Sequence, residues 1–440
     1  MVREQAFPVE TANSVPALVE FFLDHNLGKA RTDYVKSECA YHLWRHACTG
    51  GKSTRSEIVK LGALHKLVET AGKGDKQSCY HALGCLTQFV ETEDFKTLIM
   101  AYTGAKLIRC LGDGLVSVNH PRTQAQASQI LFSIAENPET TARLLPVVNK
   151  LVEAVHVSGP SWVKQVQVCT QVCQVLTKIS NLEQELTQST LTTGGYSGSK
   201  KSSARRDMVS LGIVTNCLEV LKVPTPPAKP KEEGAPDGPP QVSPEVAVKV
   251  AALATLHSLL DEPTCVDELR KIKGSLSRLS GALSIDSVDA KAHAAGCMLC
   301  FCENKQHATE IGLYRGAVRE LVGMLSTQQE KGKKGKKGKK GKKGKKGDEA
   351  VSGAALCLEN AAGLLLQLTV CERNVSEVVK EGCIPLLVGL LKAKGSSLAV
   401  VQYSTCILAS LGLDETHHAQ LLEAGSPPYL IKASAPPEED

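Results

Sequence analysis

Three cysteines and two histidines lie within fifteen residues and form the densest group of metal-binding side chains in this sequence. They are His293, Cys297, Cys300, Cys302 and His307. On a helix, Cys297 and Cys300 would share a face and His293 would lie one turn earlier, so three zinc ligands could converge. A structural zinc site normally uses two paired knuckles, and the second pair is missing. We therefore favour small core residues over a metal site, and we predict no cofactor.

A second stretch with recognisable chemistry is Gly50-Gly51-Lys52-Ser53-Thr54, which resembles the second half of a phosphate-binding loop. The full loop needs a glycine where this chain has His46, and a strand where this chain has a predicted helix. We interpret the stretch as a polar turn. No Ser-His-acid arrangement, carboxylate pair or Gly-rich cofactor loop stands out elsewhere. The sequence thus predicts a protein that is not an enzyme and has no small-molecule substrate.

The elements that position these residues follow a repeat, which is clearest in residues 381–425. After Gly382, apolar residues at helical spacing from Ile384 to Leu391 predict one short helix. A second predicted helix carries Val400 to Leu411, and a third, shorter one ends at Gly425. Three short amphipathic helices cannot bury their apolar faces alone, so this pattern predicts further copies stacked along the chain.

The copies are present at regular spacing. The pattern restarts near residues 13, 62, 104, 146, 212, 274, 316 and 382, and three of the steps measure 42 residues. Three longer steps of 62 to 66 residues each contain a low-complexity insertion. The insertions are residues 188–206, rich in Thr, Gly and Ser, residues 223–241, rich in Pro, and residues 327–349, rich in Lys and Gly. Their compositions predict three disordered loops.

The Gly-apolar-apolar start, the L-V-x-L-L core and the closing E-A-G of residues 381–425 resemble one armadillo repeat. The resemblance extends over about eight repeats and implies an all-α, right-handed superhelical α-solenoid with three disordered insertions. On this reading, residues 1–12 are a polar lead, residues 13–433 the repeat array and residues 434–440 an acidic tail. In that family the E-A-G helix is counted first, so the Ile384 type is the second helix and the Val400 type the third.

Composition agrees with a helical array. Aromatic residues make up 4% of the chain and hydrophobic residues 42%, which suits helices packed through small and aliphatic side chains. No apolar run reaches about 18 residues, so we expect no membrane span. The sixteen cysteines are scattered singly, for example Cys110, Cys169, Cys217, Cys357 and Cys406, and we predict them as reduced, mostly buried thiols. We expect a cytoplasmic protein, with a cytoskeletal, ciliary or nuclear setting as alternatives.

An armadillo array implies a concave groove, lined by the third helices, that binds a partner chain. The importin α subfamily carries Trp and, four positions later, Asn on these helices. None of the equivalent positions here keeps that pair, so import-cargo binding is not expected. The predicted groove residues are Tyr41, Trp44, Arg45, Gln129, Gln174 and Lys178.

The third insertion contains a separate candidate for binding. Residues 331–347 carry 11 Lys, without which the formal charge of the chain would be −6 rather than +5. Such a run can attract an acidic polymer such as nucleic acid or microtubule tails, but it has no aromatic residue for base stacking. A solvated loop without a dedicated partner is the alternative, which we favour. The lysines named for this basic loop are Lys333, Lys334, Lys336, Lys337, Lys339 and Lys340.

These observations favour a non-enzymatic scaffold or adaptor for protein–protein interaction, for instance in a cytoskeletal or ciliary assembly. One alternative is a chaperone or ubiquitin-ligase adaptor, although no helper domain is visible. The other alternative is a tether that uses the basic loop to hold acidic polymers.

Overall fold

The structure is a computed structural model that describes residues 7–24, 29–116, 121–155, 165–192, 203–225, 242–314, 316–334, 346–393 and 395–434. The regular structure of these residues is helical, without strands, which confirms the predicted all-α class. The chain forms two compact units, residues 1–216 and 217–440. The second unit begins inside one of the helices.

In the first unit the helices are α1 (Val9–Ala12), α2 (Val15–Leu23), α3 (Lys29–Thr49), α4 (Gly51–Lys60), α5 (Ala63–Lys73), α6 (Lys76–Phe89), α7 (Glu93–Val116), α8 (Pro121–Ile134), α9 (Pro138–Thr141), α10 (Val148–Ala154), α11 (Val166–Thr192) and α12 (Ala204–Ser210). A 3-10 helix, Ala142–Val147, joins α9 to α10. The boundary falls within α13 (Ile213–Leu221).

In the second unit the helices are α14 (Pro244–Ser258), α15 (Pro263–Lys271), α16 (Ser275–Ala282), α17 (Val288–Leu299), α18 (Lys305–Leu313), α19 (Ala317–Lys334), α20 (Lys346–Thr369), α21 (Glu372–Lys380), α22 (Cys383–Lys392), α23 (Leu398–Leu411), α24 (His418–Glu423) and α25 (Pro427–Ser434). A short 3-10 helix, Glu415–His417, precedes α24.

Third helices of successive repeats pack side by side within each unit. In the first unit α3 packs on α6, α6 on α8 and α8 on α11. In the second unit α14 packs on α17, α17 on α20 and α20 on α23. We call α3, α6, α8 and α11 together the first third-helix row, because they are the third helices of the first unit. The corresponding set in the second unit, α14, α17, α20 and α23, is the second third-helix row. The second helices α5, α7 and α10 pack in the same serial manner beneath the first row.

A left-handed glycine separates the first and second helices of most repeats. Gly62, Gly212, Gly274, Gly316 and Gly382 all have φ between 78° and 89°. A side chain at such a position would be strained by the contact of its Cβ with the backbone. The recurring glycine of the sequence pattern is therefore the residue that reverses the chain between two helices.

Gly104 is an exception to this rule. The pattern predicts a restart there, but Gly104 lies inside the continuous 24-residue helix α7. No proline interrupts residues 93–116, and a glycine in a helix interior costs only about 1 kcal/mol, which packing overrides. Arg143 of the following repeat donates a hydrogen bond to the Met100 carbonyl at 3.1 Å and braces the fused helix.

Core positions agree with the apolar pattern, with some differences. In the last repeat, five apolar residues of the two longer predicted helices are at most 1% exposed, namely Leu387, Val388, Leu390, Ile407 and Leu408. Leu391 is only half-buried. No disulfide joins any of the sixteen cysteines, all of which lie in the described residues, but Cys406 is exposed and Cys110 half-buried, so the prediction of burial was wrong for those two examples.

The predicted loop boundaries are too wide. Helix α11 continues to Thr192, because no glycine or proline occurs between its start and Gly194. Helix α12 already begins at Ala204, and α19 and α20 include residues 327–334 and 346–349. Lysine, glutamine and glutamate are good helix formers, which explains the extension of α19. Residues 193–202, 226–241 and 335–345 lie outside the described residues.

The polar lead also needs correction. Within residues 1–12, α1 forms and Ala12 is buried. The Phe7 ring contacts that of Phe21 at a centroid distance of 5.7 Å and stacks on His42 at 5.6 Å. Apolar contact therefore begins before the first predicted repeat. Residues 435–440 of the predicted acidic tail lie outside the described residues.

Basic residues of the first helices bind the third helices. Arg55 of α4 donates to the Gln88 carbonyl near the end of α6, and Arg270 of α15 donates to the Cys300 carbonyl after α17. Arg205 of α12 is buried and donates to the carbonyl and hydroxyl oxygens of Ser180 on α11 at 3.2 and 3.0 Å. Carbonyls at a helix end lack helical partners, so Arg55 and Arg270 satisfy groups that need them.

Candidate protein-binding surface

All six predicted groove residues lie on the first third-helix row. Tyr41, Trp44 and Arg45 are on α3, Gln129 on α8, and Gln174 and Lys178 on α11. Four of these side chains are exposed, and Tyr41 is 41% exposed. Trp44 and Lys178 are half-buried. Because α6 lies between α3 and α8, the surface also includes α6, from which no groove residue was predicted.

The Trp44 indole lies across α6. Its ring meets Tyr80 edge to face at a centroid distance of 5.4 Å and passes over Gly84. A Cβ atom at Gly84 would lie 2.7 Å from two indole carbons and 2.9 Å from the Gln126 amide nitrogen of α8. Gly84 is therefore the position on α6 that lets side chains of α3 and α8 meet above it.

Two polar atoms at this crossing have no hydrogen-bond partner. The Trp44 Nε1 and the Gln126 Oε1 are both buried and unpaired. Burial raises the pKa of the Cys48 thiol, one turn further along α3, and the neighbouring Trp44 indole opposes a part of this rise. A buried unpaired donor or acceptor costs about 1 to 3 kcal/mol, so this crossing carries a local energetic cost.

His81 joins α3 to α6 beneath Tyr41. Its Nδ1 lies 3.1 Å from the Ser37 carbonyl oxygen, which can only accept, so Nδ1 carries the proton. Its Nε2 then accepts from the Gln77 amide at 2.9 Å. The Tyr41 ring lies 5.2 Å from the imidazole. His81 is consequently held through both ring nitrogens beneath an exposed tyrosine.

The α8–α11 end of the row carries amides and a cation. The Lys178 ammonium lies 4.5 Å from the centre of the Phe132 ring, within the range of a cation–π interaction. The Ser128 hydroxyl donates to Gln171 Oε1 at 2.6 Å. Gln129 and Gln174 remain exposed on either side of this bond, where their amides can donate and accept.

The second third-helix row has a different surface. The Nδ1 atoms of His257 on α14 and His293 on α17 lie 3.2 Å apart. A Cβ at Gly296 would lie 2.3 Å from His257 Nε2 and 2.8 Å from the Asn360 amide nitrogen. Farther along, the Tyr403 ring covers Gly363. The remaining positions between these side chains are largely alanine, glycine and cysteine.

The cysteine and histidine group does not converge on one point. His293 contacts His257, the Cys300 thiol donates to the Cys297 carbonyl at 2.9 Å, and the Cys302 thiol donates to the Met298 carbonyl at 3.7 Å. Burial raises the pKa of the Cys300 and Cys302 thiols to about 12 and holds that of Cys297 well above its ordinary value. Among the described residues, no three His, Cys, Asp or Glu side chains are grouped to hold a metal ion.

The Gly50–Thr54 stretch is occupied by structural contacts. Gly51 opens α4 directly after α3, and Lys52 pairs with Asp94 at 2.7 Å. The Thr54 hydroxyl donates to the Gly50 carbonyl at 3.1 Å. The lysine that would contact phosphates is thus bound to a carboxylate.

Of the basic-loop lysines, Lys333 and Lys334 end helix α19. Lys336, Lys337, Lys339 and Lys340 lie outside the described residues. None of the described helices has both the length and the apolarity needed to cross a bilayer.

The fold is similar to that of known repeat proteins. An engineered protein crystallised by the Northeast Structural Genomics Consortium aligns with 96% of this chain and 95% of its own, at a TM-score of 0.53 and 17% identity. A structure from work on a phosphorylation switch controlling the interaction between cadherin and β-catenin aligns with a TM-score of 0.61 and 14% identity. That alignment covers 93% of this chain and 62% of the other.

These similarities show an α-solenoid repeat fold. No protein-family model matches the chain, and no curated protein sequence matches it.

Proposed function

We propose that this protein is a non-enzymatic armadillo-type scaffold that binds an extended segment of a partner protein along the first third-helix row. The observation that carries this proposal is the exposed series Tyr41, Arg45, Gln129 and Gln174, which spans α3, α8 and α11 beside the half-buried Trp44. Tyrosine, tryptophan and arginine dominate the binding energy of protein interfaces. A cytoskeletal or ciliary assembly is one setting for such a scaffold.

The side chains of this row indicate the chemistry of the partner. Gln129 and Gln174 present amides, each of which can bind a peptide N–H and a peptide C=O at the same time. Arg45 and Lys178 add two cations, which favour acidic groups on the partner. The partner segment that fits is therefore extended, with uncharged polar and acidic residues and an aromatic or apolar side chain near Tyr41.

Selection from a display library of random linear peptides tests this proposal. Selected peptides are expected to bind the intact protein and to lose affinity several-fold for Gln129→Ala or Gln174→Ala, the loss typical of one hydrogen bond. Arg109→Ala is the matched control, because Arg109 is exposed on α7, outside the row. Peptides that bind all these variants equally, or a selection that yields no peptide, would refute the proposal.

A photo-crosslinking amino acid in place of Gln174 gives an independent measurement. The proposal requires that a selected peptide crosslinks from position 174 and not from position 109. When the crosslinking amino acid is placed at position 129 and at position 174 in separate proteins, the two sites of attachment on one peptide give the direction of that peptide along the row.

The basic loop is the alternative binding site, motivated by its 11 Lys, although a solvated loop without a partner is favoured. Deleting residues 331–347 while comparing binding to polyglutamate at low and high salt separates the two proposals. If polyglutamate binding disappears with the deletion while peptide binding stays, the loop is an independent electrostatic tether.

A further inference from the structure

The second third-helix row contains a pair of histidines whose contact depends on their protonation. The Nδ1 atoms of His257 and His293 lie 3.2 Å apart, and the ring centres are separated by 5.3 Å. A hydrogen bond between two imidazole nitrogens needs one protonated nitrogen and one lone pair. Two imidazolium ions would instead direct two N–H groups and two positive charges at each other.

We propose that His257 and His293 form a pH-sensitive latch, which holds α14 against α17 at neutral pH and releases when both rings are protonated. This histidine latch spans two neighbouring third helices, so its release would alter the surface of the second row. It is independent of the proposed peptide-binding surface, which lies in the other unit.

Backbone packing keeps the two rings together. A Cβ at Gly296 would collide with His257 Nε2, so the absence of a side chain there allows the ring to lie against α17. From α20, the Asn360 amide donates to the Ala292 carbonyl at 2.9 Å and approaches Gly296 from the other side. The half-buried contact between the two rings thus lies among α14, α17 and α20.

Few charges near the latch can compensate for a second proton. Asp261, just after α14, is the one carboxylate among the described residues that acts on His257. Helix α17 carries Asp289 one turn before His293, but the charge that acts on His293 is that of His257, and α20 contributes the neutral Asn360. Burial lowers the pKa of His257, while Asp261 partly opposes this effect. Burial, and then the charge of His257, lower the pKa of His293 to about 4.

Cys297 offers a direct measurement of latch opening. Its thiol is fully buried on α17, one turn after His293, and lies 4.0 Å from the Leu253 carbonyl of α14. Separation of α14 from α17 exposes it. Cys383 is equally buried on α22 and serves as the internal reference. Dithiodipyridine reacts with thiols in acid, so mass mapping of labelled peptides compares both sites at pH 7.5 and 5.0.

We expect the rate of Cys297 labelling, relative to Cys383, to rise between pH 7.5 and 5.0. If the pKa of His293 is about 4 with the latch closed and has its ordinary value with the latch open, thermodynamic linkage limits the increase in relative labelling of Cys297 to about thirtyfold. His293→Gln should abolish most of the rise, because the pair can no longer carry two charges. If His293→Gln fails to fold at pH 7.5, His293→Asn provides the same test.

Two results would overturn the proposal. One is a labelling ratio that does not change with pH in the natural protein. The other is a rise that persists unchanged in a folded variant lacking His293. Since neither result depends on peptide binding to the first unit, failure of the latch and failure of the proposed function can be distinguished.

Discussion

The two third-helix rows share one architecture and differ in what they present. The first row carries Tyr41, Trp44 and Tyr80 together with exposed glutamines, in a chain with only 4% aromatic residues. The second row is built largely from small residues, with a histidine pair at its centre. The difference shows that packing within an α-solenoid fixes the backbone of each repeat while leaving the third-helix surface free to vary.

The largest expected losses of stability come from core substitutions and should be equal in the two units, because the units differ in the surfaces of their third-helix rows. Leu67 on α5 and Leu387 on α22 follow the left-handed glycine at the same spacing, and both are fully buried. We expect Leu67→Ala and Leu387→Ala each to lower the free energy of unfolding by about 2 to 5 kcal/mol. Urea denaturation measures both. A large loss in one and none in the other would show that the cores differ as well.

Lowering the pH should destabilise the second third-helix row through His293. The pKa of His293 is lowered to about 4, below the ordinary value of 6.5, so the unfolded chain binds more protons between these values. The associated stability is complete above pH 6.5 and falls as the pH drops towards 4, by at most about 3 kcal/mol. Urea denaturation at both ends of this range should show a smaller fall for His293→Gln. An equal fall in both proteins would contradict the assignment to this residue.

Replacing glycine by alanine should lower the stability at one position and raise it at another. Gly84→Ala places a Cβ against Trp44 and Gln126, and overpacking of this kind costs about 1 to 3 kcal/mol. Gly323→Ala in α19 is the matched control, because no atom lies within 4 Å of the added Cβ. There, alanine should stabilise the helix by about 0.5 to 1 kcal/mol. Thermal melts of both variants test whether the Trp44 crossing is as close as the structure shows.

The smallest effect on stability should accompany a clear effect on binding. Gln174→Ala removes an exposed side chain and should change the free energy of unfolding by less than about 0.5 kcal/mol. Its affinity for peptides selected on the natural protein should nevertheless fall several-fold. A variant that loses stability and affinity together would indicate a structural role for Gln174.

Much of the fold could be predicted because local sequence patterns define each repeat. Apolar spacing predicted α22 and α23 to within two residues at each end, and the recurring glycines marked most turns between first and second helices. The same local rule was wrong at Gly104, where the decision between a turn and a continuous helix depends on packing against Arg143.

The candidate surface was predictable only in part. Register placed Tyr41, Gln129 and Gln174 on one row, because helical spacing determines which side chains share a face. The Trp44 crossing over Gly84 involves two helices about 40 residues apart in sequence, and no local signal marks it. The histidine pair was missed for the same reason, since His293 was considered with the cysteines beside it and not with His257.

The distribution of thiols gives this protein two natural sites for optical probes. Cys48 at the end of α3 and Cys406 on α23 are exposed, whereas the other fourteen cysteines are buried or half-buried. Brief treatment with maleimide dyes should therefore label these two positions first, without any substitution. One lies in each compact unit, so energy transfer between a donor and an acceptor would report the distance between the units in solution, with and without a bound peptide.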